Sequence, residues 1–319
     1  MSEDSRRDSA SLALEPNSIG RRPVVVGEVL FDVFPDGTRV LGGAPLNVAW
    51  HLRGFGLEPL LISRVGEDDL GGAVVDALDS WGMDSSGLQV DPEKPTGRVA
   101  VALDAGAPIF DIVSDQAYDR LDGGAARDAL AEVRPALLYH GSLIAREAVA
   151  DRALRGIRAM SGAPVFVDVN LRSPWWSVES VTSLIRGARW VKLNDDELGR
   201  FSDRGSVSGG TGAELAAAEL SRRHGIDELI VTCGDRGAFV WVGDRSVVGR
   251  PPGAVDVVDT VGAGDAFSAV WIAGLLGGWD PETTLVRALD FAAVICGVRG
   301  ATTDDRRIYD RILETWSST

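Results

Sequence analysis

The chain has 319 residues, 45% of them hydrophobic and 25% charged, which is enough ordinary globular sequence to enclose a large core. Its 47 acidic residues outweigh 32 basic ones for a net charge of −15, an excess that argues against a nucleic-acid backbone or an anionic membrane surface as partner. The same field repels small polyanions, so a nucleotide would need backbone N–H donors, a helix end or bound cations to overcome it.

In chain order, residues 1–22 are mostly polar and lack the apolar core of a secretory signal, so a disordered tail is expected, followed by a single domain over 23–319. From Pro23 onward, apolar β-branched runs alternate with helical patterns: PVVVGEV then Leu46 to Phe55, PLLISRV then Leu70 to Trp81, ALLYHGS then Arg146 to Met160. The rhythm continues with APVFVDVN, ARWVKLN and ELIVTC, each expected to precede a helix-like segment. Near-continuous apolar strands between helices imply an α/β fold with a mostly parallel sheet covered on both faces. Two stretches depart from this, FDVFPDGTRVL and TGRVAVALDAGAPIFDIV. Each has turn residues between alternating segments, predicting hairpins near 30–42 and 96–114 that form either a small β lid or an extension of the sheet edge. A Gly/Ser-rich loop runs from Gly205 to Gly212, and the longest apolar run, Ala269 to Leu276, is too short to cross a bilayer.

Cys233 and Cys296 lie in apolar stretches without CxxC spacing and read as buried small hydrophobes of a reducing, cytoplasmic protein. His51, His140 and His224 are far apart and read as structural rather than metal-binding. The sharpest signal is Asp259-Thr260-Val261-Gly262-Ala263-Gly264-Asp265, followed by the almost wholly apolar AFSAVWIAGLL. Apolar residues on every side predict a buried helix beginning near Asp265. The small residues Gly262, Ala263 and Gly264 let backbone amides approach an anion at the positive helix end. A plain turn with Asp265 as N-cap would give the same pattern. An aspartate kept beside a phosphate cradle, however, suits a proton acceptor better than a cap. Neither GxxxxGK[ST] nor a GxGxxG after the first strand occurs, which excludes a P-loop and argues against a dinucleotide dehydrogenase.

DTVGAGDAF resembles the C-terminal signature of the ribokinase-like (PfkB) carbohydrate kinases, and GGAPLNVA, from Gly42 to Ala49, resembles their N-terminal one. The resemblance implies a ribokinase-like three-layer sandwich with a β lid and ATP-dependent phosphorylation of a sugar hydroxyl, with Asp265 as base and the 262–264 amides as anion hole. By the same resemblance Asp32, Gly42, Gly43, Asn47, Asn170 and Arg172 would hold the sugar. Asn194, Thr232, Gly234, Gly237, Gly262 and Gly264 would meet the nucleotide. Glu197 would organise Mg²⁺ through water, and Asp259 with the Val261 carbonyl marks a candidate monovalent cation site for K⁺. GGAPLNVA and DVNLRSPWW are most similar to fructokinases, implying D-fructose and its 6-hydroxyl, although Val169 stands where those enzymes often carry proline. Trp175 and Trp176 either floor a sugar site or fill core. Kinases for ribose, 2-keto-3-deoxygluconate or a nucleoside are the alternatives. A catalytically silent sugar-sensing or scaffold relative is another, and a homodimer is one expectation for assembly. With only Lys94 and Lys192 present, phosphate neutralisation is expected to rest on arginine, backbone and metal.

Overall fold

The computed structural model describes residues 21–104, 107–202, 210–253 and 256–318. The strands are β1 (Arg21–Val26), β2 (Leu30–Val33), β3 (Arg39–Gly42), β4 (Leu60–Gly66), β5 (Leu88–Asp91), β6 (Gly97–Asp104) and β7 (Ala107–Ile112), then β8 (Arg134–Gly141), β9 (Val165–Asp168), β10 (Trp190–Asn194), β11 (Glu228–Thr232), β12 (Ala238–Val242) and β13 (Arg245–Gly249). The helices are α1 (Ala44–Gly54), α2 (Asp69–Trp81), α3 (Gly123–Ala131), α4 (Ala148–Ser161), α5 (Val178–Ile185), α6 (Asp195–Phe201), α7 (Gly210–His224), α8 (Ala263–Gly277), α9 (Pro281–Cys296) and α10 (Arg306–Ser317).

The large sheet runs β13-β12-β11-β10-β9-β8-β1-β4-β5, parallel from β11 to β5. Because side chains alternate along a strand, Val24 and Val26 of β1 enter one core while Val25 enters the other. The first core is closed by α3 to α7, the second by α1, α2, α8, α9 and α10. Helix α8 is apolar all round, and Phe267, Val270, Trp271 and Ile272 are all buried.

The second sheet, β3-β2-β6-β7, is separate rather than an extension of the large sheet's edge. Its two antiparallel hairpins join through a parallel seam, with Leu30 opposite Gly97 and Asp32 opposite Val99.

Several expectations change in detail. Strand β1 starts at Arg21, inside the expected tail, because β8 pairs with it from Arg134 and Arg22 is tied to the Glu58 carbonyl at 2.8 Å and to Asp84 at 2.7 Å; residues 1–20 lie outside the described residues. ELIVTC is followed by strand β12, not a helix, because the chain turns through residues 234–237 and AFVWV pairs back antiparallel. The helix expected from Arg146 starts at Ala148, since Arg146 is held in the preceding turn by a buried ion pair. The Gly/Ser-rich loop falls largely outside the described residues, as does the tip between β6 and β7. Cys233 is buried as expected, whereas Cys296 is half-buried at the end of α9. Among the described residues no helix is long and apolar enough to cross a membrane.

Candidate active site

The chemistry-bearing residues gather at the carboxyl ends of β1 and β8 to β11, where parallel strands open toward loops. Lys192 pairs in register with Asp168 and Asn194 with Thr232, so three adjacent strands deliver polar side chains to one rim.

Helix α8 begins at Ala263 with Gly262 as N-cap and no side-chain cap. Asp265 is therefore inside the first turn and does not cap the helix. Its Oδ2 instead accepts a hydrogen bond of 2.7 Å from Nδ2 of Asn47, 218 residues away in sequence and on α1. Gly262 has φ +80°, and a Cβ there would lie 2.4 Å from the Ala301 Cα, so only glycine lets the loop lie against the 300–303 segment. Of the expected 262–264 amides, that of Ala263 is engaged by the Thr260 carbonyl at 3.4 Å, whereas those of Gly262 and Gly264, together with Asp265, have no backbone partner among the described residues, leaving donors for an anion at the positive end of a 15-residue helix. Asp259 accepts from the Val261 amide at 3.0 Å and the Gly300 amide at 3.1 Å, clamping this loop to the one after α9.

Asp265 is half-buried and its carboxyl is pushed up to about 6, chiefly by burial. The Asn47 hydrogen bond pulls it down, Asp168 pushes it up, and Lys192 and Arg172 pull it down. Asp265, Asp168, Lys192 and Arg172 thus share one electrostatic environment.

Opposite α8 stands the expected sugar platform. Gly43, at φ +114°, is the N-cap of α1, and a Cβ there would lie 2.5 Å from the Glu28 carbonyl, so helix and β1 end meet backbone to backbone. Gly42 faces Asp32, whose Oδ2 would be 3.9 Å from a Cβ at Gly42. Burial raises the Asp32 carboxyl and Arg172 lowers it. Arg172 is exposed and forms no ion pair among the described residues, leaving its fork available to an anion. Asn170 is held through its backbone: its amide donates to the Ser142 hydroxyl at 3.1 Å and its carbonyl accepts from it at 2.7 Å.

Asn194 and Glu197 form a capping box at the start of α6, with Asn194 Oδ1 accepting from the Glu197 amide and Glu197 Oε2 from the Asn194 amide, both at 2.8 Å. Glu197 Oε1 accepts from the Leu171 amide at 2.8 Å, so this buried carboxylate also fixes the chain just before Arg172. Each oxygen keeps one lone pair, and among the described residues no three His, Cys, Asp or Glu side chains cluster as metal ligands. That donor set suits a hydrated divalent cation reached through water, not a protein-caged ion. Thr232 ends β11 and Gly234 and Gly237 form the turn to β12, which Arg236 ties to Asp195 at the start of α6.

Two features escaped the sequence reading. Glu28 is 5% exposed, its Oε2 has no partner, and burial holds its carboxyl up at about 7, with Asp265 pushing the same way and Arg172 and Arg146 opposing. The signal was an acid inside an otherwise apolar run, VVVGEVLF. Arg146 pairs with Asp119 through two bonds of 2.7 Å and lies over the rings of Tyr118 and Trp175. Trp175 therefore backs a buried cation beside Glu28, whereas Trp176 packs on Phe201 as core.

The family model for pfkB family carbohydrate kinases matches residues 27–307. A fructokinase of Klebsiella pneumoniae is 30% identical over 295 residues, covering 87% of this chain and 92% of the relative. Fructokinase-2 of Zea mays is 31% identical over 266 residues, covering 76% and 77%. The crystal structure of a Vibrio cholerae fructokinase in fructose, ADP and calcium ion bound form superposes with a TM-score of 0.74 at 24% identity, covering 91% of this chain and 98% of that one.

Proposed function

Because the chain belongs to the pfkB carbohydrate kinase family, a family of sugar phosphotransferases, we propose that its acceptor is D-fructose, phosphorylated at the 6-hydroxyl by ATP. The observation that carries the reading is the Asn47 to Asp265 bond, which joins the acceptor platform to the first turn of the anion-binding helix. The two fructokinase relatives support fructose over ribose, 2-keto-3-deoxygluconate or a nucleoside.

In this mechanism the ionised Asp265 takes the proton of the attacking hydroxyl as that oxygen bonds to the γ-phosphorus and the bond to ADP breaks. Asn47 orients the carboxylate, the Gly264 and Asp265 amides receive charge on the transferring phosphoryl, and Arg172 adds a cation on the open side. Asp32, with the Gly42–Gly43 backbone, takes hydroxyls of the sugar, and each one mismatched costs about 1–3 kcal/mol. Asn194, Thr232, Gly234 and Gly237 line the nucleotide side. Mg²⁺ on the nucleotide would be held through water by Glu197 and would offset phosphate charge; K⁺ near Asp259 and the Val261 carbonyl would add to the field behind the loop. Phosphoryl transfer through a loose transition state removes the proton late, so a carboxylate raised to about 6 is basic enough.

The test is ADP release over a panel of sugars and nucleosides. Fructose is expected to give the highest kcat/KM, and Asp265→Asn to lower kcat on the order of 10²–10⁴-fold while both substrates still bind. A near-normal Asp265→Asn enzyme would remove the base; a better acceptor elsewhere in the panel would replace fructose.

A further inference from the structure

Beneath the first turn of α8 lies a buried polar cluster that the mechanism does not use. Lys192, from β10, places Nζ 2.9 and 3.0 Å from the two oxygens of Asp168 at the end of β9. Asp168 Oδ2 also accepts from the Tyr139 hydroxyl of β8 at 3.1 Å and from the Ser268 hydroxyl of α8 at 2.6 Å. The single Ser268 proton goes to this charged acceptor rather than to the Gly264 carbonyl at 3.0 Å. Lys192, Asp168 and Ser268 are 7%, 4% and 0% exposed. A Cβ at Gly264 would lie 3.5 Å from Lys192 Nζ, so the ammonium sits directly under the anion-binding turn.

One buried ion pair thus ties the ends of three strands to the helix that carries the base, three residues before Ser268. We propose that Lys192 and Asp168 are a positioning pair for phosphoryl transfer, holding the first turn of α8 and placing a compensated positive charge beneath it without contacting either substrate. An isolated structural pair would serve as well in apolar form, because burying two charges carries a desolvation cost that their attraction must first return. Placement against the catalytic turn gives the charges a use: Lys192 favours the ionised form of Asp265 and Asp168 disfavours it. The other groups facing Asp265 are Glu28 from the end of β1, Asn47 from α1, Tyr139 from β8 and Arg172 after β9.

The inference rests on Asp265 as base, and the experiment separates the two. The pH dependence of kcat/KM is measured for Lys192→Met, Asp168→Asn, the double variant and Lys192→Arg, beside Asp265→Asn. Lys192→Met is expected to move the acid limb to higher pH and Asp168→Asn to lower pH. The double variant should return toward the parent limb, and Lys192→Arg should stay near it. Lys192→Met should also lose on the order of tenfold or more in kcat with both KM values retained, since it supports the turn indirectly. Should Lys192→Met fail to fold, Asp168→Asn and the double variant carry the same test. Limbs that stay put or move in the same direction overturn the pair's role, as does a loss confined to KM. Full turnover in Asp265→Asn would instead overturn the base itself.

Discussion

Asp265 sits inside the first turn of α8 and takes a side-chain partner from a distant helix. Because Asn47 donates to the carboxylate, it favours the ionised, proton-accepting form. With Asp265 as the proposed base the charged form is the active one, so kcat/KM is expected to fall as pH drops through about 6. Asn47→Ala should shift that limb to higher pH, read from a pH–rate profile. Asp265 was legible from sequence because an acid beside a glycine-rich cradle for an anion is electrostatically awkward unless it accepts a proton. Glu28 and Arg146 were not, since nothing local in the sequence says which buried acid lies near which buried base. Only the crossing of β1, the 116–120 turn and the start of α4 brings them together.

Helix α1 supports more than the platform. One turn after Asn47, its buried His51 has Nε2 3.0 Å from the Ala301 carbonyl, to which it must donate, so Nδ1 accepts from the Tyr309 hydroxyl at 2.9 Å. Burial holds this imidazole neutral, with its pKa lowered from 6.5 to about 4, and His140 is lowered to about 3 by burial and Arg158. Between these values and 6.5 the unfolded chain binds more protons than the folded one. The stability the two histidines contribute is therefore complete above pH 6.5 and lost as pH falls through about 4 for His51 and about 3 for His140. Glu28 and Asp265, raised by burial to about 7 and about 6, act in the opposite sense, losing stability as pH rises through those values. His51→Gln is expected to be less stable at pH 7.5 and to lose less between pH 7.5 and 5 than the parent, measured by urea denaturation. At this scale the helices and parallel strands were readable from hydrophobic period. The antiparallel β12 and β13 and the short edge strand β5 were harder, because a brief apolar run after a strand carries no sign of direction.

Across the molecule, the division into two sheets was foreshadowed by two Pro/Gly-marked hairpins, but not the parallel seam between β2 and β6, which depends on register between segments more than sixty residues apart. Asp32 lies in that seam, so the second sheet carries the carboxylate proposed to meet the sugar. If this sheet closes over sugar, amide hydrogen exchange across 30–42 and 97–102 should slow when fructose is added and stay nearly unchanged with nucleotide alone, as followed by mass spectrometry. Equal protection by nucleotide alone would remove the lid role.

The spacing of four residues between Asn47 and His51 sets a practical limit on retooling this scaffold. One side chain steadies the proposed proton acceptor and the other props the segment on which Gly262 rests, so both sides of the proposed site lean on a single eleven-residue rod. Changing the acceptor preference by grafting a foreign α1 would disturb donor geometry at the same stroke, whereas edits confined to the Asp32 strand leave that rod untouched.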